Sequence, residues 1–196
     1  AVTGGWSARS VRTVSPAEAV EFEVGLTYPN SLALGDVDGD GDAELVVGTA
    51  EGELHVYKGA AVWRSCTGLA TITAVTIGDV CNHGRAAIVC ATAEGVCAVF
   101  ELDGGGPGAP RGDSSLSAVH RQRIPVNSKV LLVADTTAAG VNDLIVGRTD
   151  RKVLCFRWCA EGSGKLVPLW EADLGGQIGS LAPVSTASLG RRLGVS

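Results

Sequence analysis

Apolar residues in this chain gather in short runs rather than long stretches. SLALGDV, AELVVG and ELHVYKG are runs of the β-type, separated by turn chemistry, and Glu51-Gly52 and Glu94-Gly95 stand where hairpin turns would be. AVWRSCT and SAVHRQRIPV supply further strand-like segments. Gly at 27 of 196 residues is about twice the usual share, which favours tight turns and short strands over long helices.

The pattern repeats. Gly35-Asp36-Val37 returns as Gly78-Asp79-Val80, about 43 residues later. The same offset maps Gly41 to Gly84, Leu45-Val46 to Ile88-Val89, Ala50-Glu51-Gly52 to Ala93-Glu94-Gly95 and Tyr57 to Phe100. A third copy starts at Asp135 and carries Gly140, Asp143, Leu144-Ile145-Val146-Gly147 and Phe156 in register. The longer spacing before it is taken up by DGGGPGAPRGDSS. Four strands in each ~40–45 residues is the measure of a propeller blade, and blades bury their faces only by stacking on one another. The fold class expected is all-β, a β-propeller of four-stranded antiparallel blades. QIGSLAPVST reads as the inner strand of a fourth blade, so the propeller is expected to be incomplete, with about three blades and part of a fourth. Residues 1–15 are expected to be a flexible N-terminal segment. Residues 16–196 are expected to form the partial propeller, with an insertion loop at 101–123.

Composition narrows the partners. Sixteen Lys+Arg against 21 Asp+Glu give a net charge of −5, which argues against nucleic acid, whose recognition needs a clustered positive footprint. Hydrophobic residues at 45% with 19% charged are enough to build a core. The uncharged run 65–78 is too short to span a bilayer, and the uncharged tail 174–190 is broken by glycines and a proline, so no direct membrane insertion is expected. No signal peptide is visible, and a chain that starts at Ala1 without any methionine is expected to be a fragment. Cys66, Cys81, Cys90, Cys97, Cys155 and Cys159 lie mostly in apolar runs and read as reduced core thiols; disulfides in an extracellular protein are the alternative. His55, His83 and His120 are scattered and read as solvated or local hydrogen bonders.

One segment carries site chemistry. DVDGDGDAEL places carboxylates at loop positions 1, 3, 5 and 9 with glycine at 6, a cage of hard oxygens suited to one Ca²⁺. Asp36, Asp38, Asp40 and Glu44 would offer side chains, and Asp42 a backbone carbonyl. An EF-hand needs Glu at position 12, where this chain has Val47, so the loop belongs to a β-hairpin. The alternative is a solvated acidic turn without an ion. The second copy keeps only Asp79 of the cage. In the third, Thr137 and Ala139 stand where the middle carboxylates would be, and both copies read as turn formers.

These residues resemble the FG-GAP repeat family, the propeller type of integrin α-subunits. The Asp36 loop is the most specific part of the likeness, whereas Gly48-Thr49-Ala50 departs from the family's Gly-Ala-Pro signature. LGDVDGDGDAELVVG, IGDVCNHG, IPVNSKVLLVAD and GRTDRKVLCFRW are more similar to the branch whose members are KICSTOR complex subunits. That resemblance implies a cytoplasmic, non-catalytic scaffold recruited to the lysosomal membrane surface, restraining TOR kinase signalling when nutrients are scarce. Its partners would be other protein subunits of a KICSTOR-like complex, with no small-molecule substrate. It also implies a full propeller of about seven blades, of which this chain would be roughly the N-terminal half.

Other motifs carry less. Gly162-Ser163-Gly164-Lys165 lacks the first glycine and the Ser/Thr of a phosphate loop. Arg111-Gly112-Asp113 spells an adhesion tripeptide inside the insertion, and the insertion itself reads as a connector or a contact loop. Trp63, Trp158 and Trp170 fall on strands and are expected to pack in the core, an exposed binding patch being the alternative. An extracellular calcium-dependent adhesion module is the alternative function, and a metal enzyme is a third class.

Overall fold

The computed structural model describes residues 13–14, 19–20, 23–102, 115–162, 164–186 and 190–195, of which 13–14, 19–20, 184–186 and 190–195 are described as backbone only. Among them are sixteen strands and no helix, so no helix is long and apolar enough to cross a membrane. The strands β1 (Thr13–Val14) and β2 (Ala19–Val20) pair with each other. Three four-stranded antiparallel meanders follow. The first blade is β3 (Thr27–Gly35), β4 (Glu44–Thr49), β5 (Leu54–Lys58) and β6 (Ala61–Cys66). The second is β7 (Ile72–Gly78), β8 (Ala87–Thr92), β9 (Val96–Glu101) and β10 (His120–Arg123). The third is β11 (Ser128–Ala134), β12 (Asp143–Arg148), β13 (Lys152–Cys159) and β14 (Lys165–Asp173). A hairpin of β15 (Leu181–Thr186) and β16 (Gly190–Val195) begins a fourth unit. An open, incomplete propeller is therefore what the repeat builds.

Stacking explains the sequence pattern. The second strand of each blade lies between two neighbours, so ELVVGT, AIVCAT and DLIVG are buried throughout and do not alternate. Successive side chains on these strands point to opposite blades. Val46, Leu54 and Val56 pack with Ile72, Ile88 and Phe100 between blades one and two. Val89, Cys97 and Val99 pack with Leu131, Leu144 and Val146 between blades two and three. Ile145 and Val153 turn the other way, to Ile178 and Leu181 of the fourth unit. Each fully buried side chain of this size contributes roughly 1.5–3 kcal/mol. First strands lie nearest one another across the blades, β3 beside β7 beside β11, with β15 next to β11. Glycine permits that approach: a Cβ on Gly78 would lie 2.7 Å from Val133 Cβ, and one on Gly48 would lie 2.5 Å from Ile72 Cγ2.

The insertion is docked on its return. Residues 103–114, which include the Arg111-Gly112-Asp113 triplet, lie outside the described residues. Ser115 bridges Ser65 of β6, the Leu116 N–H donates to Ser65 O at 2.7 Å, and the Leu116 side chain is buried against blades one and two. The 101–123 stretch therefore ends in strand β10 rather than as loop.

Tryptophan packing is mixed. Trp63 and Trp158 are partly buried against the cores. Trp170 does not follow the expectation; it is 40% exposed because β14 is the outer edge strand of its blade and turns most of its residues to solvent. All six cysteines carry free thiols, five of them buried, and burial pushes the Cys90 thiol up to about 12.

Candidate metal centre in the blade loops

Asp36, Asp79 and Asp135 occupy the same place in their blades, the loop that joins the first strand to the second. Each carboxylate accepts backbone N–H groups from its own loop. Asp36 takes Gly39 N at 2.6 Å and Gly41 N at 2.9 Å. Asp79 takes His83 N at 2.9 Å and Gly84 N at 2.8 Å. Asp135 takes Gly140 N at 2.7 Å and Thr137 N at 3.0 Å. Burial works to raise the Asp135 carboxyl, but the Gly140, Thr137 and Ala139 N–H groups outweigh it and hold it below the usual carboxylate value. Gly41, Gly84 and Gly140 all have positive φ, at 93°, 76° and 76°, which closes the turn without a Cβ clash. The three loops share one backbone and differ in what it displays.

In the first loop the structure brings together most of the expected ligands. Oxygens of Asp36, Asp38 and Asp40 lie within 4.8 Å of one another. Glu44 is buried beneath them, and its Oε2 accepts the Val37 N–H at 3.0 Å. Burial raises the Glu44 carboxyl above its ordinary value despite that bond. Asp42 is exposed, and its N–H donates to Asp40 Oδ1 at 2.9 Å. The side chain not anticipated is Lys58, the last residue of β5. Its ammonium donates to Asp38 Oδ2 and Asp40 Oδ2, both at 2.6 Å, and lies 3.6 Å from Glu44 Oε1. Burial works against this charge, but the bonds to Asp38 and Asp40 outweigh it and hold the Lys58 pKa above its usual value. The Lys58 ammonium also stands 4.5 Å from the Trp63 ring centroid, a cation–π contact. The three clustered aspartates, with Glu44 near the same ammonium, are hard oxygen donors that could hold a divalent cation, which would share or displace Lys58.

The residue in Lys58's place changes from blade to blade. In the third, Arg157 faces Asp143 across β12 and β13, with Nε to Oδ1 at 2.8 Å and Nη2 to Oδ2 at 3.1 Å. Asp143 is itself fully buried, so Arg157 supplies the counter-charge for a carboxylate that corresponds to Glu44. In the second blade the position is Glu101, opposite Ala87. There the loop displays Cys81 and His83 where the first has Asp38 and Asp40. The atoms of Cys81, His83 and Glu101 that could hold a metal lie within 4.8 Å of one another. Sequence reading missed Lys58 and Glu101. The repeat offset that aligns Tyr57 with Phe100 carries Lys58 onto Glu101, a signal that was present.

Residues 58–196 match the family described as integrin-alpha FG-GAP repeat-containing protein 2, and residues 28–61, which hold the Asp36 loop, match the FG-GAP repeat. The chain belongs to the integrin-alpha FG-GAP repeat-containing protein 2 family. Two family relatives are named KICSTOR complex protein ITFG2. The mouse protein is 39% identical over 187 residues, covering 88% of this chain and 42% of its own length. The cattle protein is 40% identical over 187 residues, covering 88% and 35%. The chain thus spans less than half the length of these relatives. Among solved structures it is similar in fold to BBS1N in complex with ARL6DN. The mercury-soaked crystal gives a TM-score of 0.58 at 16% identity, over 88% of this chain and 48% of that one. The lead-soaked crystal gives 0.60 at 17%, over 86% and 50%.

Proposed function

We propose that this chain is the propeller part of a non-catalytic scaffold subunit in a KICSTOR-type complex. The likeness to proteins named as KICSTOR complex proteins, extending over most of the chain, is the observation that carries the reading. The blade architecture supports it, because stacked sheets offer broad rigid surfaces and stable assemblies need about 1,200–2,000 Å² of buried interface. The free, mostly buried thiols support a reducing compartment, where the protein would act in the cytoplasm and be recruited to the lysosomal membrane surface by its partners. There it would hold TOR kinase signalling down under nutrient scarcity.

Calcium has a structural place in this reading. One Ca²⁺ entering the first loop would take oxygens of Asp36, Asp38, Asp40 and Glu44 and compete with Lys58 for them. The ion would stiffen a turn and would not act on a substrate.

Affinity purification of the full-length protein from nutrient-starved cells tests the scaffold reading. Co-purification of the other KICSTOR subunits is the expected result. A secreted, disulfide-bonded product that brings none of them down would overturn it in favour of a calcium-dependent adhesion module.

A further inference from the structure

We propose that Cys81, His83 and Glu101 form a binding site for one Zn²⁺ ion in the second blade. The donor set is a thiol, an imidazole and a carboxylate, the three side-chain types that hold zinc. His83 Nδ1 lies 3.3 Å from Glu101 Oε1, close to the edge of a zinc tetrahedron, roughly 3.4 Å for bonds of about 2.0–2.2 Å. The Cys81 sulfur stands within 4.8 Å of both, so closure onto an ion needs only side-chain adjustment. Three protein ligands leave the fourth position for water.

The frame is built before any ion arrives. Asp79 holds the loop through the N–H groups of His83 and Gly84. Asn82, at φ 59°, reaches into the third blade's loop: its Nδ2 donates to Asn142 O at 3.1 Å, and its Oδ1 accepts Asn142 N at 2.7 Å. Asn142 Nδ2 returns a bond to Asp79 O at 3.0 Å. Residues on both sides of Asn82 are thereby set in place, one buried and one half-exposed. Glu101 is fixed by its pairing with Ala87 at the end of β9, and Arg85 Nη2 lies 3.5 Å from the other carboxylate oxygen, Oε2. That leaves Oε1 aimed at His83.

Hard-ion chemistry is excluded at this loop by its own residues, since thiol and imidazole replace the two middle carboxylates of the first loop. On binding, the Cys81 thiol gives its proton to water and the sulfur forms the bond to zinc. His83 binds through Nδ1 as the tautomer that carries its proton on Nε2, so the Nδ1–H bond to Glu101 gives way and the freed Glu101 oxygen binds as a lone-pair donor.

The test uses the full-length protein, titrated with Zn²⁺ against a competing chelator and with Co²⁺ as a spectroscopic substitute. One equivalent of Zn²⁺ is expected, with affinity falling more than about tenfold in His83→Gln and in Glu101→Gln. Co²⁺ should give a thiolate charge-transfer band that Cys81→Ser abolishes. His83 is half-exposed, so His83→Gln is a variant whose folding is not at stake should Cys81→Ser fail to fold. Asp38→Ala, in the first loop, should leave Zn²⁺ affinity unchanged. Unaltered Zn²⁺ affinity in His83→Gln, a Co²⁺ spectrum without the thiolate band, or loss of the site in Asp38→Ala would each overturn the proposal.

Discussion

The loops of the first and second blades have the same backbone and opposite chemistry. Both hang from a leading aspartate that gathers loop N–H groups, and both close on a glycine with positive φ. The first then displays carboxylates and receives an ammonium from the end of the blade's third strand. The second displays a thiol and an imidazole and receives a carboxylate from that same strand position. Charge at one position outside the loop, Lys58 or Glu101, follows what the loop offers. The loop geometry is a property of the repeat, whereas the charge it meets depends on a pairing between the loop and the strand that returns beneath it. The third blade agrees, because Arg157 stands at that position against the buried Asp143.

The comparison breaks first if the shared frame is damaged. Gly35 and Gly78 close the strands that lead into the two loops, but a Cβ on Gly78 would meet Val133 at 2.7 Å and one on Gly35 would meet Ile77 at 3.2 Å. Gly78→Ala should cost about 1–3 kcal/mol by overpacking the blade interface, and Gly35→Ala clearly less. Urea unfolding of the pair measures the difference, and equal losses would separate loop geometry from blade stacking.

A change at Lys58 sharpens the contrast more selectively. Lys58→Met leaves the Asp38 carboxylate, 5% exposed, without its counter-ion, at a cost of about 1–2 kcal/mol in chelator. Added Ca²⁺ should then raise the melting temperature further in Lys58→Met than in the unaltered protein. Equal shifts would mean that Lys58 does not compete for the cage.

Glu101→Lys carries the first blade's charge into the second. Apart from Asp79, the second loop has no carboxylate for that ammonium, so a modest loss of stability is expected, under about 1 kcal/mol, read from the urea midpoint. A loss as large as that of Gly78→Ala would mean that Glu101 supports the blade rather than the loop.

The smallest effect concerns pH. Lys58, and then the Asp42 N–H, hold the Asp40 carboxyl below its ordinary value. Stability from that carboxylate is therefore present above about pH 4 and lost as pH falls through the lowered folded value. Lys58 has the opposite sign: its contribution is complete below its unfolded value near about pH 10.4 and fades as pH rises through the raised folded value. Lys58→Met should flatten stability at both ends of that range, and an unchanged acid limb in denaturant titrations from pH 2 to 6 would contradict the pairing.

Much of this was legible in the chain. The period set the blades because each copy repeats the same buried strand between the same turns, as Leu45-Val46 and Ile88-Val89 do. The clustering of Asp36, Asp38 and Asp40 was legible because the three carboxylates sit within one loop. Lys58 and Glu101 were legible only as equivalent positions of the repeat, since they approach their loops through strand pairing from about 18–20 residues away. Trp170 misled for a related reason: an apolar residue on a strand says nothing of whether that strand is a blade's outer edge.

Charge exchange between the two blades tests most directly whether the third-strand residue sets each loop's ion. The full-length protein carrying Lys58→Glu together with Glu101→Lys would be titrated calorimetrically with Ca²⁺ and with Zn²⁺. Ca²⁺ affinity should rise and Zn²⁺ affinity fall, each by more than about tenfold, because the first cage gains a carboxylate and the second loses a ligand. Both affinities unchanged from the starting protein would contradict it.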